Sequence, residues 1–400
     1  MDILYLVHRI PYPPDKGDKI RSFRWLVHLA EKHRVHLVTL YDDPQDLVHL
    51  DAVSKYCATL KAFRLKPLKA KVRAMMALAG SRPLSLPYFF HPEAKKAVVE
   101  ILQKEPIDLA LIYSSSMGQY TEHLTDIPRI LDMVDVDSAK FASYAELGSG
   151  VGRKIYGLEA RRLARYEEEQ VRTLDRVILC TEPEAELLST RVNQPNKVVA
   201  IGNGAVPPDA SKIPASRDST KVIFVGAMDY QPNIDAVNFA AQEIMPLVRQ
   251  EISSAEFIIV GRDPTAEVRK LGQLPGVTVT GPVADIDDYL RDACLSLVPL
   301  RIAQGIQNKV LEAMAWSLPV VTNKRIAISL ESDVGNVLCS AETAEEYAAE
   351  VIRLIRDKEL RQEIGQAARE FVIKRFSWEP RLAQLDQLIE EVVHSAKVKQ

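Results

Sequence analysis

The sequence predicts an α/β protein with two Rossmann-like, parallel-sheet domains in tandem. Three observations lead to this prediction. The chain has 400 residues, which is too long for one compact domain and suits two. Short apolar runs alternate with segments of helical spacing along both halves. Between the halves, residues 202–220 are rich in Pro, Gly, Ser and Asp and lack periodicity, which is typical of a linker.

The first domain is predicted over residues 1–205. Its apolar runs predict strands at residues 3–8, 35–40, 109–113, 130–134, 177–180 and 198–201. Residues 20–32 have helical spacing and follow the loop PYPPDKGD, so the first crossover is helical. Ligands of such parallel sheets bind beyond the carboxyl ends of the strands, so residues just after each strand are candidates for function.

The second domain is predicted over residues 206–376, with strands at residues 222–225, 257–260, 277–279, 295–298 and 319–322. Thr343 and Glu346 form a capping box that opens one of its helices. Residues 377–400 form a last helix with an apolar stripe, which we expect to cross back and pack on the first domain. The two sheets are expected to face each other across a cleft.

The composition excludes several classes of protein. With 47% apolar and 26% charged residues the chain is neither disordered nor a disulfide-rich miniprotein. It has no apolar run of about 18 residues and so no transmembrane helix, and its N-terminus reads as a strand and not as a signal peptide. The four cysteines lie far apart, without the spacing of a metal site, which favours a cytoplasmic protein. A net charge of −3 argues against nucleic acid as a partner.

The near-neutral net charge is an average of unlike parts. Residues 1–205 hold 29 basic and 26 acidic residues, and the rest hold 22 and 28. Residues 52–92 contain eight basic residues and no acidic one, and many apolar residues follow the basic ones. This pattern predicts docking on an anionic membrane surface, with a solvated helix beside a packed loop as the alternative. The run at Glu167–Glu169, beside Arg161, Arg162 and Arg165, predicts a solvated helix face.

Residues 305–321 form the most informative segment. A strand, a loop with Gly305, a helix and a second strand follow one another, so the free amides at the helix start can hold a phosphate. Lys309 adds a cation, and Glu312, one turn later, can accept hydrogen bonds from the two adjacent hydroxyls of a ribose. A plain strand–helix crossover with a surface Lys and Glu is the alternative.

Other candidates follow strands of the second domain. Gly226 follows the first strand, where a ligand can approach the backbone, and the alternative is an ordinary turn with Asn233 as the helix cap. Arg262 ends the next strand and can reach a phosphate or a base, although arginines there often form surface salt bridges. Val283 lies after a third strand, next to Asp285, a candidate cap.

In the first domain, Gly17 opens the first helix, and Lys16, Lys19 and Arg21 are expected to add positive charge beside it. There is no GxGxxG, so a dinucleotide fingerprint is absent. His8 ends the first strand.

Three further polar residues follow later strands of the first domain, Ser114 after one strand and Asp135 and Asp137 after the next. They are candidates for binding acceptor hydroxyls. Capping of the next helix by Asp137 or Ser138 is the alternative, and the lone DxD is too weak to imply a metal.

The segments Glu312-Ala-Met-Ala and Pro319-Val-Val resemble the donor-site signature of retaining GT-B glycosyltransferases of family 4. The usual form is E-x7-E, and Gln304 stands where the first Glu would fall. The stretch Val-Asp-Val-Asp-Ser at residues 134–138 and the segment Gly-Ile-Gln-Asn-Lys-Val-Leu-Glu at residues 305–312 resemble, more narrowly, a bacterial subgroup associated with PEP-CTERM/exosortase exopolysaccharide systems.

The resemblance implies a GT-B fold and a retaining transfer of a sugar from a UDP- or GDP-sugar to a hydroxyl of a glycan or lipid-linked acceptor. It implies catalytic roles for Gln304, Lys309 and Glu312. The residues expected to contact the donor are Gly17, Gly226, Arg262, Val283, Gly305, Ile306, Gln307 and Asn308. His8, Ser114, Asp135 and Asp137 are expected to contact the acceptor. The departing diphosphate would take the acceptor proton, so neither an enzymic nucleophile nor a cofactor or metal is expected.

Two other functions stay open. A sugar-nucleotide epimerase shares the two-domain fold. A catalytically silent scaffold that binds nucleotide sugars is suggested by Gln304 and by the absence of the Arg/Lys pair that many members carry after the first strand of the second domain. The expected location is the cytoplasm, with possible peripheral binding to the inner face of the plasma membrane.

Overall fold

The computed structural model describes residues 1–14, 17–147, 149–302, 307–330 and 336–399. The chain divides into two compact domains. The N-terminal domain comprises Met1–Gly202 together with Pro380–Gln400, and the C-terminal domain comprises Asn203–Glu379.

The described residues form thirteen strands: β1 (Asp2–Val7), β2 (Arg34–Tyr41), β3 (Thr59–Arg64), β4 (Leu109–Tyr113), β5 (Arg129–Val134), β6 (Arg176–Leu179), β7 (Val198–Ala200), β8 (Lys221–Val225), β9 (Glu256–Val260), β10 (Val277–Gly281), β11 (Leu295–Val298), β12 (Val320–Thr322) and β13 (Cys339–Ser340).

The α-helices of the described residues are α1 (Gly17–Lys32), α2 (Leu50–Ser54), α3 (Pro67–Met76), α4 (Ser85–Tyr88), α5 (Pro92–Lys104), α6 (Asp137–Leu147), α7 (Gly150–Thr173), α8 (Glu182–Val192), α9 (Gln231–Phe239), α10 (Met245–Glu251), α11 (Ala266–Leu271), α12 (Asp287–Asp292), α13 (Asn308–Ala315), α14 (Lys324–Ser329), α15 (Ala344–Arg356), α16 (Lys358–Arg375) and α17 (Trp378–Lys399). Shorter 3₁₀ turns lie at Pro44–His49, Ala77–Ala79, Ser115–Tyr120, Pro195–Lys197 and Ala210–Lys212, and a π-helical turn at Ala240–Ile244.

Each domain is built on a parallel sheet. The N-terminal sheet has the strand order β3-β2-β1-β4-β5-β6-β7 and the C-terminal sheet the order β10-β9-β8-β11-β12-β13. In register, Val7 of β1 lies beside Thr39 on one side and Tyr113 on the other. The order reverses direction next to the first strand of each sheet, and such switch points are where ligands of doubly wound sheets bind. The predicted α/β class with two Rossmann-like sheets is confirmed.

Every strand predicted from the sequence is present, with ends within two residues of the prediction. Two strands were missed. The edge strand β3 (TLKAFR) has no continuous apolar run, because none of its residues is fully buried. The strand β13 has only two residues, which is too short to produce a periodic signal.

The last helix packs within the N-terminal domain. Its buried stripe includes Leu385, Ile389 and Val392. On its surface, Asp386 accepts hydrogen bonds from His28 Nε2 at 2.8 Å and from Lys32 Nζ at 2.6 Å, both on α1. Apolar burial and this pair of polar contacts explain why α17 belongs to the domain formed by the start of the chain.

The basic residues of α1 differ from the expectation. Arg21 is fully buried and binds Asp132 of β5 through Nε at 2.5 Å and Nη2 at 3.2 Å. Lys19 is also buried and pairs with Asp46 at 3.0 Å. The expectation that both cations face a ligand beside Gly17 is therefore wrong, because their charges are already neutralised by carboxylates inside the domain.

Removing one partner of the buried pair between Arg21 and Asp132 should destabilise the N-terminal domain strongly. Asp132→Ala leaves a guanidinium buried without a counter-charge, which costs about 3–5 kcal/mol. Urea unfolding should show this loss in the free energy of unfolding. The double variant Arg21→Met/Asp132→Leu removes both charges and should recover most of the stability. Equal stability of wild type and Asp132→Ala would contradict the argument.

Two findings apply to the described residues only. In that part of the chain no helix combines the length and the apolar character needed to cross a bilayer. All four cysteines are free thiols.

Candidate functional site

Four neighbouring strands of the C-terminal sheet bring the candidate residues of this domain to one edge. Gly226 follows β8, Arg262 follows β9, Val283 follows β10, and the chain after β11 leads to α13. Because these strands are parallel and adjacent in the order β10-β9-β8-β11, their carboxyl ends meet at the same edge of the sheet. The structure thus brings together the described donor-site candidates of this domain.

Glycine is required where the first two of these loops touch. A Cβ at Gly261, whose φ is +154°, would lie 1.7 Å from the carbonyl oxygen of Gly226. A Cβ at Gly226 would lie 2.6 Å from the side-chain amide of Asn233. Larger residues would push the loops apart, so the two glycines hold the backbone of the β8 loop against both the β9 loop and α9.

Lys309, in the first turn of α13, is held over the start of α9. Its Nζ donates a hydrogen bond to Asn233 Oδ1 at 2.5 Å and lies 5.0 Å from the centre of the Phe224 ring. The amide of Asn233 in turn donates to the carbonyl of Ala227 at 2.8 Å. Asn233 is therefore not the cap of α9, as the sequence alternative had it. Tyr230 occupies that position, and Asn233 orients the lysine.

Glu312 lies one turn after Lys309 on the same helix. Burial raises the pKa of Glu312 to about 7, although Lys309 opposes the shift and Asp287 adds to it. Burial lowers the pKa of Lys309 to about 8, and Glu312 opposes that shift. Each side chain keeps part of its surface exposed, so both remain accessible to a ligand. Perturbed pKa values of this kind are typical of functional sites.

The start of α13 has the features that can hold an anion. Its first amides lack helical partners, and the helix dipole places positive potential there. Gln307 is the N-cap residue, and the side chain of Asn308 accepts a hydrogen bond from Asn203 Nδ2 at 3.0 Å. Asn203 lies in the stretch predicted as a linker, and no local pattern in the sequence reveals this contact. The candidates Gln304, Gly305 and Ile306 lie outside the described residues.

The two arginines near this edge differ in the contacts that they form. Arg301 forms a two-point ion pair with Asp235, with Nε at 2.9 Å and Nη2 at 2.5 Å, and lies over the ring of Phe239 at 4.9 Å. Its charge is thus already paired within the domain. Arg262 is partly exposed, and its Nε lies 3.8 Å from a carboxylate oxygen of Asp263, an ion pair of the kind given above as the alternative. Its carbonyl accepts a hydrogen bond from Met228 N at 2.9 Å, which places it beside the glycine loop. Val283 packs against the core of the domain.

In the N-terminal domain, His8 lies at the carboxyl end of β1. Its ring stacks on Tyr113 with centroids 5.8 Å apart, and Phe89 meets it edge-on at 5.6 Å. Its Nε2 lies 3.3 Å from Asp18, next to Gly17, which is exposed as the first residue of α1. His8 is thus mostly buried and oriented by a carboxylate.

The other acceptor candidates follow β4 and β5, the next two strands on one side of β1. Ser114 follows β4 with φ +79°, and Val134 ends β5 with φ +71°. Such backbone conformations are strained for residues other than glycine, and strain of this kind clusters at functional sites. Burial raises the pKa of Asp135 to about 6, although Lys140 opposes the shift. Asp137 accepts hydrogen bonds from Ser115 Oγ at 3.0 Å and Lys140 Nζ at 2.5 Å.

Neither Asp137 nor Ser138 caps α6. Instead Glu167 of α7 accepts hydrogen bonds from Ser138 N at 2.7 Å and Ser138 Oγ at 2.5 Å. Glu184 of α8 accepts from Val136 N at 3.2 Å. Glu167 is fully buried, so the prediction of a solvated face at residues 167–169 is wrong there. The sequence offers no signal for this, since the acid reaches its partner across 29 residues.

Among the described residues, one group of side chains has the spacing of a metal site, formed by Asp2, His36 and Glu105. Arg34 bonds to Asp2 at 2.8 Å and to Glu105 at 3.3 Å. The group lies at the amino ends of the strands, away from the edge that carries the candidate residues, and is explained as an ion-pair network.

Comparison with known proteins gives the following results. Residues 219–357 match the family model described as "Glycosyl transferases group 1", and this range includes Lys309 and Glu312. No curated protein matches the sequence significantly. Sucrose-phosphate synthase from Thermosynechococcus elongatus superposes with a TM-score of 0.73 at 19% identity, over 99% of this chain and 100% of that one.

Two further solved structures are similar. A TarM mutant from S. aureus, in complex with fondaparinux, alpha-GlcNAc-glycerol and UDP, has a TM-score of 0.68 at 14% identity, covering 97% of this chain and 99% of that one. HepE from Anabaena, in complex with UDP-glucose, has a TM-score of 0.65 at 17% identity, covering 99% and 100%. These similarities confirm that the chain has the GT-B fold.

Proposed function

We propose that the chain is a retaining glycosyltransferase that moves a sugar from a nucleotide-sugar donor to a hydroxyl of a glycan or lipid-linked acceptor. The observation that carries this proposal is the pair Lys309 and Glu312 at the start of α13. A cation, free amides and a carboxylate one turn away match the diphosphate and ribose of a sugar nucleotide. UDP-sugars are the first donors to test, since HepE and TarM were each solved with a ligand containing UDP.

The chemistry asked of the protein is electrostatic. The bond between the anomeric carbon and the diphosphate oxygen breaks, the acceptor oxygen forms the new bond on the same face, and the acceptor proton passes to the diphosphate. Lys309, supported by Asn233 and the α13 amides, stabilises the charge that develops on the leaving group. Arg262 is the further cation that we assign to the donor.

We assign the acceptor to the carboxyl edge of the N-terminal sheet. His8, Ser114, Asp135 and Asp137 follow three adjacent strands there, and two neighbouring residues have strained backbones. Carboxylates and hydroxyls at such an edge suit the hydroxyls of a sugar. The resemblance to the exosortase-associated subgroup leads us to place the reaction in bacterial exopolysaccharide synthesis.

The test begins with thermal shift measurements on a panel of UDP- and GDP-sugars, because a ligand of the native state raises the melting temperature. The stabilising donor is then incubated with candidate acceptors, and product and anomeric configuration are read by NMR. We expect transfer with retention. UDP release without any acceptor would favour the epimerase, and donor binding without turnover would favour the silent scaffold.

Donor affinity should have a bell-shaped dependence on pH. Glu312 must be ionised to accept two ribose hydroxyls, so affinity should fall as pH decreases through about 7. Lys309 must be protonated, so affinity should also fall as pH rises through about 8. Calorimetry with UDP between pH 5.5 and roughly 9.5 measures both limbs. Glu312→Gln should remove the acidic limb alone, and a flat profile for wild type would contradict the assignment.

We further propose that the enzyme docks on the inner face of the plasma membrane through α3. This helix exposes Leu68 (79%), Met75 (66%) and Met76 (76%) to solvent. Lys69 and Lys71 are exposed on the same helix, and residues 52–92 hold no acidic residue. An exposed apolar and basic helix suits the boundary between headgroups and acyl chains of anionic lipids.

Docking through α3 predicts salt-sensitive binding to anionic vesicles. The variant Lys69→Gln/Lys71→Gln should bind roughly 25-fold more weakly, because each basic residue near such a surface contributes about fivefold. Sedimentation with vesicles that contain phosphatidylglycerol measures the change. Lys95→Gln/Lys104→Gln on α5 is the matched control. Equal binding of all three proteins would contradict docking through α3.

A further inference from the structure

The start of α7 carries a second group of exposed apolar and basic residues. Val151 is 73% exposed and Ile155 37% exposed, in the first two turns of the helix. Arg153 and Lys154 lie between them, are exposed, and form no ion pair within the described residues. Tyr156, 40% exposed, comes next, and residues 150–158 contain no acidic residue. Nothing in the proposed reaction uses this group.

The two apolar residues lie on the face of α7 that carries the segment after α3. Val151, Ile155 and Glu159 are spaced four residues apart, which places them on one face of the helix. The carboxylate of Glu159 accepts hydrogen bonds from Leu84 N at 2.6 Å and Ser85 N at 3.0 Å. Val151 and Ile155 therefore continue this face beyond the segment, where no described residue covers them fully.

Arg162, one turn further along α7, fixes the other end of the same segment. Its guanidinium donates hydrogen bonds to the carbonyls of Ala77 at 3.1 Å, Leu78 at 2.8 Å and Arg82 at 3.3 Å, and also to Gly80. The side chain is nearly buried. Glu159 and Arg162, in the middle of α7, thus hold the chain directly after α3, so α3 is fixed to the same helix whose first turns carry Val151 and Ile155.

We propose that the start of α7 completes the surface that binds anionic lipid headgroups, together with α3. This inference rests on the membrane docking proposed above. The occupant is an anionic bilayer because both elements combine basic residues, exposed aliphatic side chains and no acidic residue. Tyr156 suits the interface, where a ring with one polar end is favourable. Two attachment points separated along the domain fix its orientation on the membrane, which one helix does not.

The test uses the full chain and vesicles of phosphatidylglycerol and phosphatidylcholine in a 30:70 ratio, roughly the charge density of an anionic leaflet. Arg153→Gln/Lys154→Gln should weaken partitioning about 25-fold, at about fivefold for each basic residue. Val151→Ser/Ile155→Ser should weaken the binding that persists at high salt. The matched control is Arg161→Gln/Arg165→Gln, the same charge change on the same helix, roughly 12–18 Å further along its axis.

The outcomes separate this inference from the proposals on which it rests. If the α3 variant loses binding while both α7 variants bind like wild type, the inference is wrong and docking through α3 stands. If wild type does not bind vesicles, both fail. If Val151→Ser/Ile155→Ser changes only a concentration-dependent dimer seen by ultracentrifugation, the face contacts a second copy and the inference is overturned. The rise in melting temperature caused by UDP should be the same in every variant. A failure of the proposed donor site would therefore be detected separately from a failure of membrane binding.

Discussion

Replacing Glu312 by alanine is expected to lower kcat/KM for sugar transfer by roughly 10²–10⁴-fold, because two hydrogen bonds to a carboxylate contribute about 1.5–3 kcal/mol each. In our proposal these bonds hold the ribose, so binding and turnover both depend on them. Burial raises the pKa of Glu312 because it disfavours the charged carboxylate. Replacing this side chain should therefore not destabilise the fold. Steady-state kinetics and UDP calorimetry measure the loss.

The controls for Glu312 separate charge from shape. Glu312→Gln keeps the size of the side chain and one acceptor oxygen, so its loss should be smaller than that of alanine. Glu363→Ala removes an exposed carboxylate of the same domain and should leave kinetics unchanged. Near-normal activity of Glu312→Ala would contradict the assignment of Glu312 to the donor site.

Replacing Lys309 by methionine should weaken UDP binding by roughly 10–150-fold while leaving the melting temperature within ~3 °C of wild type. The cation contacts the diphosphate in our proposal, so its charge is needed for affinity. For stability two effects oppose each other. Burial lowers the pKa of Lys309, so at pH 7 the charged form carries a cost that methionine relieves. Methionine also leaves the buried Asn233 carbonyl without its donor.

The sign of the pH dependence checks the first effect, the cost of burying the charge. The folded pKa of Lys309 lies below its unfolded value, so the cost of burying the charge is fully present below pH 8 and disappears as pH rises toward the unfolded value. The stability of Lys309→Met relative to wild type should therefore be greatest below pH 8 and decline above it. Lys324→Met, in the first turn of α14, is the matched control and should change neither affinity nor melting temperature. Loss of the fold in Lys309→Met would contradict a functional role for the lysine.

Much of the fold could be predicted from the sequence because it is encoded locally. Strand β4 is a continuous apolar run and β11 is interrupted only by Ser296, and their predicted bounds match the structure residue for residue. The predicted N-cap is also present, with Thr343 Oγ1 accepting from Glu346 N at 3.3 Å, while the Glu346 carboxylate accepts from Glu342 N at 2.8 Å. The edge strand β3 could not be predicted, because its half-buried residues carry no continuous apolar signal.

The candidate site was predictable only in part. The spacing of Lys309 and Glu312 places them one helical turn apart whatever else the chain does. Their pKa shifts, and the role of Asn233 as the lysine's partner, depend on contacts across 76 residues. The capping of α6 by Glu167 likewise depends on how two helices pack. The run of three acidic residues at 167–169 had instead predicted a solvated helix face.

The sequence by itself therefore determined the alternation of elements, the two sheets and the positions of the strand-end residues, because apolar periodicity and turn residues act over a few positions along the chain. Only the tertiary structure decided which charges are used internally and which are presented outward. Arg21 and Glu167 are buried with partners, whereas Arg153 and Lys154 are exposed. The identity of a charged residue does not reveal whether it is solvated. Its solvation is set by segments that lie far away along the chain and close in space.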